Sequence, residues 1–277
     1  MNYFALIDFI KKKKTFLCIG LDTDINLIPS FFLNCNFPLF AFNKAIIDET
    51  CDYCIAYKIN TAFYESLGEY GWEQLKMTAE YIKENYSEIL LIADAKRSDV
   101  FHSSVYYAKA FFENLPFDAI TINPYLGYDT ISPFLNYKDK FFIILALTSN
   151  KSATDFQLLK LENGKYLFEK VIEKSLEWSS YKNIMYVVGA TKVEFFKKVR
   201  ELAPLNFLLV PGLGFQGGEL ESVIKYGANE NFGLILNYSR TIIYSSSDEN
   251  FAKKAKEIAK NISNQIWQIY SKFFKFI

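Results

Sequence analysis

Eight short apolar runs recur along this chain, and helical stretches separate them. The runs are FLCIGLD (16–22), IAYKIN (55–60), ILLIADAK (89–96), AITIN (119–123), FFIILALT (141–148), IMYVVGA (184–190), NFLLVPG (206–212) and FGLILNYS (232–239). Most are almost continuously apolar, the pattern of parallel strands covered on both faces. In 71–86, Leu75, Ala79 and Ile82 share one helical face, while lysines and glutamates take the other. Residues 103–114 and 191–202 read the same way. The C-terminal stretch 251–274 carries Ile258, Ile262, Ile266, Ile269 and Phe273 at helical spacing. Its polar face bears both charge signs, so packing on the domain body is expected rather than a lipid surface. No Pro/Gly/Ser-rich linker interrupts the alternation. The pattern therefore predicts one domain over residues 1–277, an α/β fold of the (β/α)8 TIM-barrel class, with a doubly wound sheet as the alternative. The longest connection, 149–164, follows the fifth run, where a barrel would carry a mobile lid.

Composition narrows the partners. Lys+Arg and Asp+Glu both number 31, so the net charge is zero and a nucleic-acid partner is not expected. The longest apolar runs reach about eight residues against the roughly twenty of a membrane span. The N-terminal MNYFALIDFIKKKK places its basic residues after its apolar ones, the reverse of a secretory signal, and a cytoplasmic location is expected. A single histidine, His102, excludes multi-histidine metal sites. Four cysteines in so long a chain make no disulfide framework, and the Cys51/Cys54 pair lacks the partners a redox or zinc reading needs. Lys11 to Lys14 read as a solvated helix end.

In a barrel, function sits at the C-terminal ends of the strands. Nearly every run here ends in polar residues: Asp22; Lys58 and Asn60; Asp94, Lys96 and, just beyond, Asp99; Asn123; Thr148, Ser149 and Asn150; Asn237, Ser239 and Arg240. The densest segment is DAKRSD (94–99). Strand alternation puts Asp94 and Lys96 on one face. The segment reads either as a rim salt-bridge network or as a lysine held cationic by carboxylates, fit to stabilise developing negative charge or to donate a proton. PGLGFQGGEL (211–220) is a glycine-rich turn before a helix, able to hold phosphate with its N–H groups, and Arg240 on the next strand would clamp the same group.

Seven ordered motifs carry a family resemblance: GLDTD (20–24), AYKINTAFYESLG (56–68), LIADAKRSDV (91–100), TINPYLGYD (121–129), LTSN (147–150), PGLGFQGGE (211–219) and NYSR (237–240). The chain resembles the orotidine 5′-monophosphate decarboxylases, in particular the bacterial branch with an A-D-A-K-R-x-D-[IV] signature. That resemblance implies a TIM barrel, a homodimer with shared active sites, a nucleotide substrate, and neither cofactor nor metal. It implies that Lys96 protonates C6 of the pyrimidine, with Asp94 beside the substrate carboxylate and Asp99 reaching into the partner's site. Asp22 and Lys58 would bind ribose hydroxyls, Ser149 the pyrimidine edge, and Gln216 and Arg240 the phosphate, while Pro211 lines the base pocket. The branch reads I-G-N-T-A after its second aspartate where this chain has VFHSS (100–104), so Ser103 stands in place of a threonine expected near the ribose. Arg97 is expected to pair with acidic groups near the dimer interface, and His102 to be structural. Two alternatives remain open: a magnesium-dependent sugar-phosphate decarboxylase or aldolase with the same D-x-K-x-x-D core, and a non-catalytic nucleotide-binding barrel.

Overall fold

The computed structural model describes residues 1–214 and 220–274. Its strands are β1 Leu17–Leu21, β2 Ala56–Asn60, β3 Leu90–Arg97, β4 Ala119–Ile122, β5 Phe141–Leu147, β6 Ile184–Val188, β7 Leu208–Val210 and β8 Leu234–Tyr238, one in each apolar run. Neighbours pair in parallel in chain order, and β8 returns to β1 through Leu17↔Leu236 and Cys18↔Asn237. The sheet is closed, as the (β/α)8 expectation requires, and the doubly wound alternative is excluded. The α-helices are α1 Tyr3–Lys13, α2 Pro38–Thr50, α3 Ala62–Glu65, α4 Gly68–Asn85, α5 Phe101–Lys109, α6 Tyr128–Ile131, α7 Leu167–Leu176, α8 Phe196–Leu202, α9 Leu220–Gly227, α10 Arg240–Ile243 and α11 Phe251–Phe273.

Alternation along each strand sends one residue to the helices and the next into the barrel. On β2, Tyr57 turns outward. Its hydroxyl shares a 2.8 Å bond with the Thr50 hydroxyl and donates to the Ile47 carbonyl of α2. Lys58, the next residue, turns inward. On β6, the Tyr186 hydroxyl meets the Ser175 hydroxyl of α7 at 2.9 Å, and Val187 faces the barrel.

Leu75, Ala79 and Ile82 of α4 are all fully buried. Gln74 is buried with them, because its Oε1 accepts from the N–H groups of Leu39 and Phe40 at 2.8 and 3.3 Å. That side chain satisfies the start of α2, which begins on Pro38 and has no cap of its own. α11 packs on the domain body, as its mixed-charge face predicts, but through a stripe shifted from the isoleucines. Phe251, Ala255, Ala259, Ile262, Ile266 and Tyr270 are buried, whereas Phe273 is 39 % exposed. Phe251 stacks on Phe42 of α2 at 5.2 Å. No helix among the described residues is long and apolar enough to cross a membrane.

Two helical expectations are refined. The 103–114 stretch starts earlier, as α5, and widens into a π turn over Ala110–Asn114. The 191–202 stretch opens as a 3-10 turn over Ala190–Phe195, kinked at Lys192, before α8. The 149–164 connection holds a 3-10 turn, Lys151–Asp155, and a bridge from Lys160 to Tyr166.

Arg200 ties the segments that lead into β7 and β8. Its guanidinium donates to the carbonyls of Ala203 and Asn206, both at 2.8 Å, and to those of Gly227 and Gly233. It thus gathers the ends of α8 and α9 in one planar fork. Arg200→Met should lower unfolding stability in denaturant titration by about 3 kcal/mol, because several buried carbonyls lose their donor. Arg200→Lys should recover little of it, since one ammonium cannot span four acceptors. A loss below about 1 kcal/mol for the Met variant would contradict this role.

Candidate active site

The mouth of the barrel is polar on one side and apolar on the other. From β1–β4 come Asp22, Lys58, Asp94 and Thr121. From β5–β7 come Leu145, Val187 and Leu209. The Lys58 side chain is 4 % exposed, with its Nζ 3.2 Å from Asp22 Oδ1 and 3.0 Å from Asp94 Oδ2. The other Asp94 oxygen accepts from Lys96 Nζ at 2.6 Å and from the Thr121 hydroxyl at 3.1 Å. Asp22, Lys58, Asp94 and Lys96 thus alternate in sign along one line.

Electrostatics fixes the protonation of its centre. Burial opposes ionisation of Asp94, but Lys58 and Lys96 outweigh it and hold the carboxyl well below the usual carboxylate range. Burial likewise opposes charge on Lys58, and Asp22 and Asp94 reverse that effect and raise its pKa. Lys96 stands at the open end of the line, its side chain half exposed.

The lysine reaches that place through an irregular backbone. Pairing of β3 with β4 steps from Ala93↔Ile120 to Arg97↔Ile122, four residues on β3 against two on β4. Within the bulge Lys96 adopts φ 49°, a left-handed conformation costing a non-glycine residue on the order of 1–2 kcal/mol. Asp94 and Lys96 meet, as alternation predicts, yet a bulge and not a regular pleat brings them together.

Two cavities that share lining residues open over these groups. One, of about 430 Å³, is lined by Lys58, Asp94, Lys96, Ser149 and Pro211 above the floor of Leu145, Val187 and Leu209. The other, of about 350 Å³, shares Lys58, Asp94, Ser149 and Pro211 and extends to Gly212, Asn237, Ser239 and Arg240. Arg240 is exposed at the start of α10. The structure therefore gathers Asp22, Lys58, Asp94, Lys96, Ser149, Pro211 and Arg240 around one opening. Gln216 lies outside the described residues. Asp99 and Ser103 line neither cavity. The Asp99 carboxylate accepts from Val100 N–H at 2.7 Å, and Ser103 is on α5.

A sequence model of the orotidine 5′-phosphate decarboxylase / HUMPS family matches residues 15–255. An orotidine 5′-phosphate decarboxylase of Bacteroides fragilis is 54 % identical over 266 residues, which are 96 % of this chain and 97 % of that one. The Phocaeicola vulgatus enzyme of the same name is 54 % identical over 97 % of this chain and 99 % of its own. The structure of Leishmania donovani OMP decarboxylase superposes with TM-score 0.81 at 32 % identity, covering 97 % of this chain and all of that one. The chain belongs to the orotidine 5′-phosphate decarboxylase / HUMPS family.

Set against the family resemblance, two contributors were missed in the sequence. Thr121 carries no signal of its own in the sequence. Its hydroxyl accepts from Lys96 N–H at 2.9 Å while donating to Asp94, a role hidden in the apolar run AITI. Gln157 sits in the long connection and bonds Thr148 through both its Oε1, from the backbone N–H at 2.7 Å, and its Nε2, to the hydroxyl at 2.9 Å. It pins that segment to the end of β5 beside Ser149. Arg97 pairs with Glu65 of its own chain. His102 is exposed, its ring edge-to-face with Tyr106 at 5.2 Å between centroids. Cys54 is buried and its thiol is pushed up to about 12 by burial, which leaves it unreactive.

Lys58→Met would leave Asp22 without its cation and Asp94 held by Lys96 alone, at a cost on the order of 3 kcal/mol near pH 7. The depressed Asp94 carboxyl contributes stability above its unfolded value near 3.9, and this is lost as pH falls through the native value. The raised Lys58 ammonium contributes stability below about 10.4, lost as pH rises through the native value. The deficit of the variant in unfolding titrations should be full between about pH 5 and 9 and shrink toward pH 3 as its carboxylates protonate. A deficit constant from pH 7 to pH 3 would count against a network held by charge.

Proposed function

We propose that Lys96 is the proton donor in the decarboxylation of orotidine 5′-monophosphate and that the two cavities divide the nucleotide between them. The chain is an orotidine 5′-phosphate decarboxylase, a carboxy-lyase of pyrimidine biosynthesis, producing uridine 5′-monophosphate and carbon dioxide. The observation that carries the proposed roles is the line Asp22–Lys58–Asp94–Lys96 ending in a half-exposed ammonium above an apolar floor.

The pyrimidine takes the larger cavity, between Pro211, Ser149 and the floor residues. The bond from C6 to the carboxylate breaks, its electron pair stays on C6, and carbon dioxide leaves. Lys96 Nζ gives its proton to C6 and is reprotonated from solvent, which its exposure permits. A unit charge ~4 Å away is worth about 4 kcal/mol at an effective dielectric near 20, so the ammonium supplies a large share of the stabilisation of the developing carbanion. Asp94, kept ionised by two lysines, lies where the substrate carboxylate must approach. Asp22 and Lys58 meet the ribose hydroxyls, and Arg240 with Gln216 takes the phosphate. A cytoplasmic location belongs to the same reading, as expected of an enzyme working on soluble phosphorylated nucleotides.

We assign Asp99 and Ser103 to the site of a second copy in a homodimer. Two facts support this: both lie outside the cavities of their own chain, and Asp99 borders an apolar surface. Val100 is 61 % exposed and Phe101 52 %, both directly after Asp99 in the chain. Apolar residues clustered in this way mark interaction surfaces.

Lys96→Ala should cut kcat by more than about 10⁴ while nucleotide binding is largely kept, since proton donation and electrostatic stabilisation are lost together. A variant retaining a tenth of wild-type kcat would sink the assignment. Shared sites make a second test. Lys96→Ala and Asp99→Ala proteins should each be nearly inactive, yet equal mixing with free subunit exchange should restore activity to about a quarter of wild type, because half the dimers are mixed and each holds one intact site. No recovery after verified exchange would reject the shared site and leave the decarboxylase activity standing.

A further inference from the structure

The Arg97 guanidinium lies against the bulge that carries Lys96. The peptide that leads into the left-handed residue carries two polar groups, the Ala95 carbonyl and the Lys96 N–H. Each is taken by a side chain. The Lys96 N–H donates to the Thr121 hydroxyl at 2.9 Å, and the Ala95 carbonyl accepts from Arg97 Nη1 at 3.1 Å. Only beyond the bulge does β3 rejoin β4, where the Arg97 carbonyl accepts from Asn123 N–H at 3.1 Å.

The guanidinium is itself held from three sides. Nη2 pairs with Glu65 at the end of α3, the helix that follows β2 and its Lys58. The ring of Tyr107 lies 5.3 Å from the guanidinium carbon and that of Phe111 5.6 Å. Its Nε is buried without a partner among the described residues, an unfavourable feature that a mere surface pair would not keep. Glu65 neutralises its charge locally. What remains is geometry: a planar group with two donors aimed apart, one to Glu65 and one to Ala95, which a lysine cannot reproduce.

We propose that Arg97 is a positioning residue for the decarboxylation: by gripping the Ala95 carbonyl it keeps Lys96 in the left-handed backbone conformation that brings its ammonium to Asp94. A strained residue persists only where its surroundings over-determine it, and Arg97 and Thr121 hold the carbonyl and the N–H of the peptide that enters it. This rests on the reading of Lys96 as proton donor.

The test compares Arg97→Gln, Arg97→Ala and Glu65→Gln with the wild type for kcat and KM toward orotidine 5′-monophosphate, affinity for uridine 5′-monophosphate, and thermal stability. Misplacing a reacting group by about 1 Å can cost about a hundredfold, so Arg97→Gln should lower kcat about 10- to 100-fold while KM and product affinity stay within about threefold. Added guanidinium should restore part of the kcat of Arg97→Ala. A folded Arg97→Gln with kcat within twofold of wild type, or one whose kcat falls only with its folded fraction, overturns the proposal. If the Arg97 variants do not fold, Glu65→Gln decides. It keeps the arginine but removes its anchor, and should lose about 3- to 10-fold in kcat at unchanged KM, whereas an unchanged kcat overturns the proposal. Wild-type turnover measured alongside separates the two readings: its absence would refute the decarboxylase activity, whereas its presence with unaltered variants refutes only the role of Arg97.

Discussion

Asp94 is the point on which the rest of the barrel mouth depends. It sits between two ammonium groups, 3.0 Å from Lys58 and 2.6 Å from Lys96, and accepts a third bond from Thr121. A buried carboxylate is costly alone, and a buried lysine is costly alone. Together, with Asp22 closing the far end, they form a line of alternating charge in which Lys58 and Asp94 are held ionised by their neighbours. The arrangement is rigid at its buried end and open at Lys96. A cation whose position is set by a fixed anion is already placed before any substrate arrives, which is the condition for electrostatic stabilisation without reorganisation.

The two halves of the barrel divide the remaining work. β1–β4 contribute the charges and β5–β7 a floor of Leu145, Val187 and Leu209. An apolar wall beside a charged line lowers the local dielectric and strengthens each interaction on the polar side. The bulge in β3 lies within the charged half and sets the place of Lys96. A regular strand would continue the ladder through Lys96, whereas the extra residues free its N–H for Thr121 and turn its backbone left-handed. Outside the mouth, side chains do the corresponding work for the backbone: Gln74 at the start of α2, Gln157 at the end of β5, Arg200 at the ends of α8 and α9.

Much of this was legible in the residues. The period of the apolar runs set the strands, because burial on both faces demands continuous apolar segments. Polar residues at strand ends pointed to the mouth, and Asp22, Lys58, Asp94, Lys96, Ser149, Pro211 and Arg240 all lie there. Thr121 was not legible: a threonine is an ordinary strand residue, and only its neighbours across the ladder make it a bridge. Gln157 was hidden for a similar reason, since its partner Thr148 is brought to it by the fold of a long connection. The exact stripe of α11 was missed because alanines and a tyrosine, not only isoleucines, fill the groove it covers.

By itself the sequence determined the alternation of strands and helices, the strand ends at which charge accumulates, and the family motifs, because these depend on local period and on residue chemistry. Only the tertiary structure decided that Lys58 is the buried centre of the charge line, that Lys96 is left-handed, and that Arg97 turns back to Ala95 and Glu65. Closing the sheet brings β1, β2 and β3 side by side, so that Asp22, Lys58 and Asp94, separated by 36 residues at each step, come within hydrogen-bond distance. Charge interactions and backbone strain depend on such distances, and distances between strands exist only once the barrel has closed.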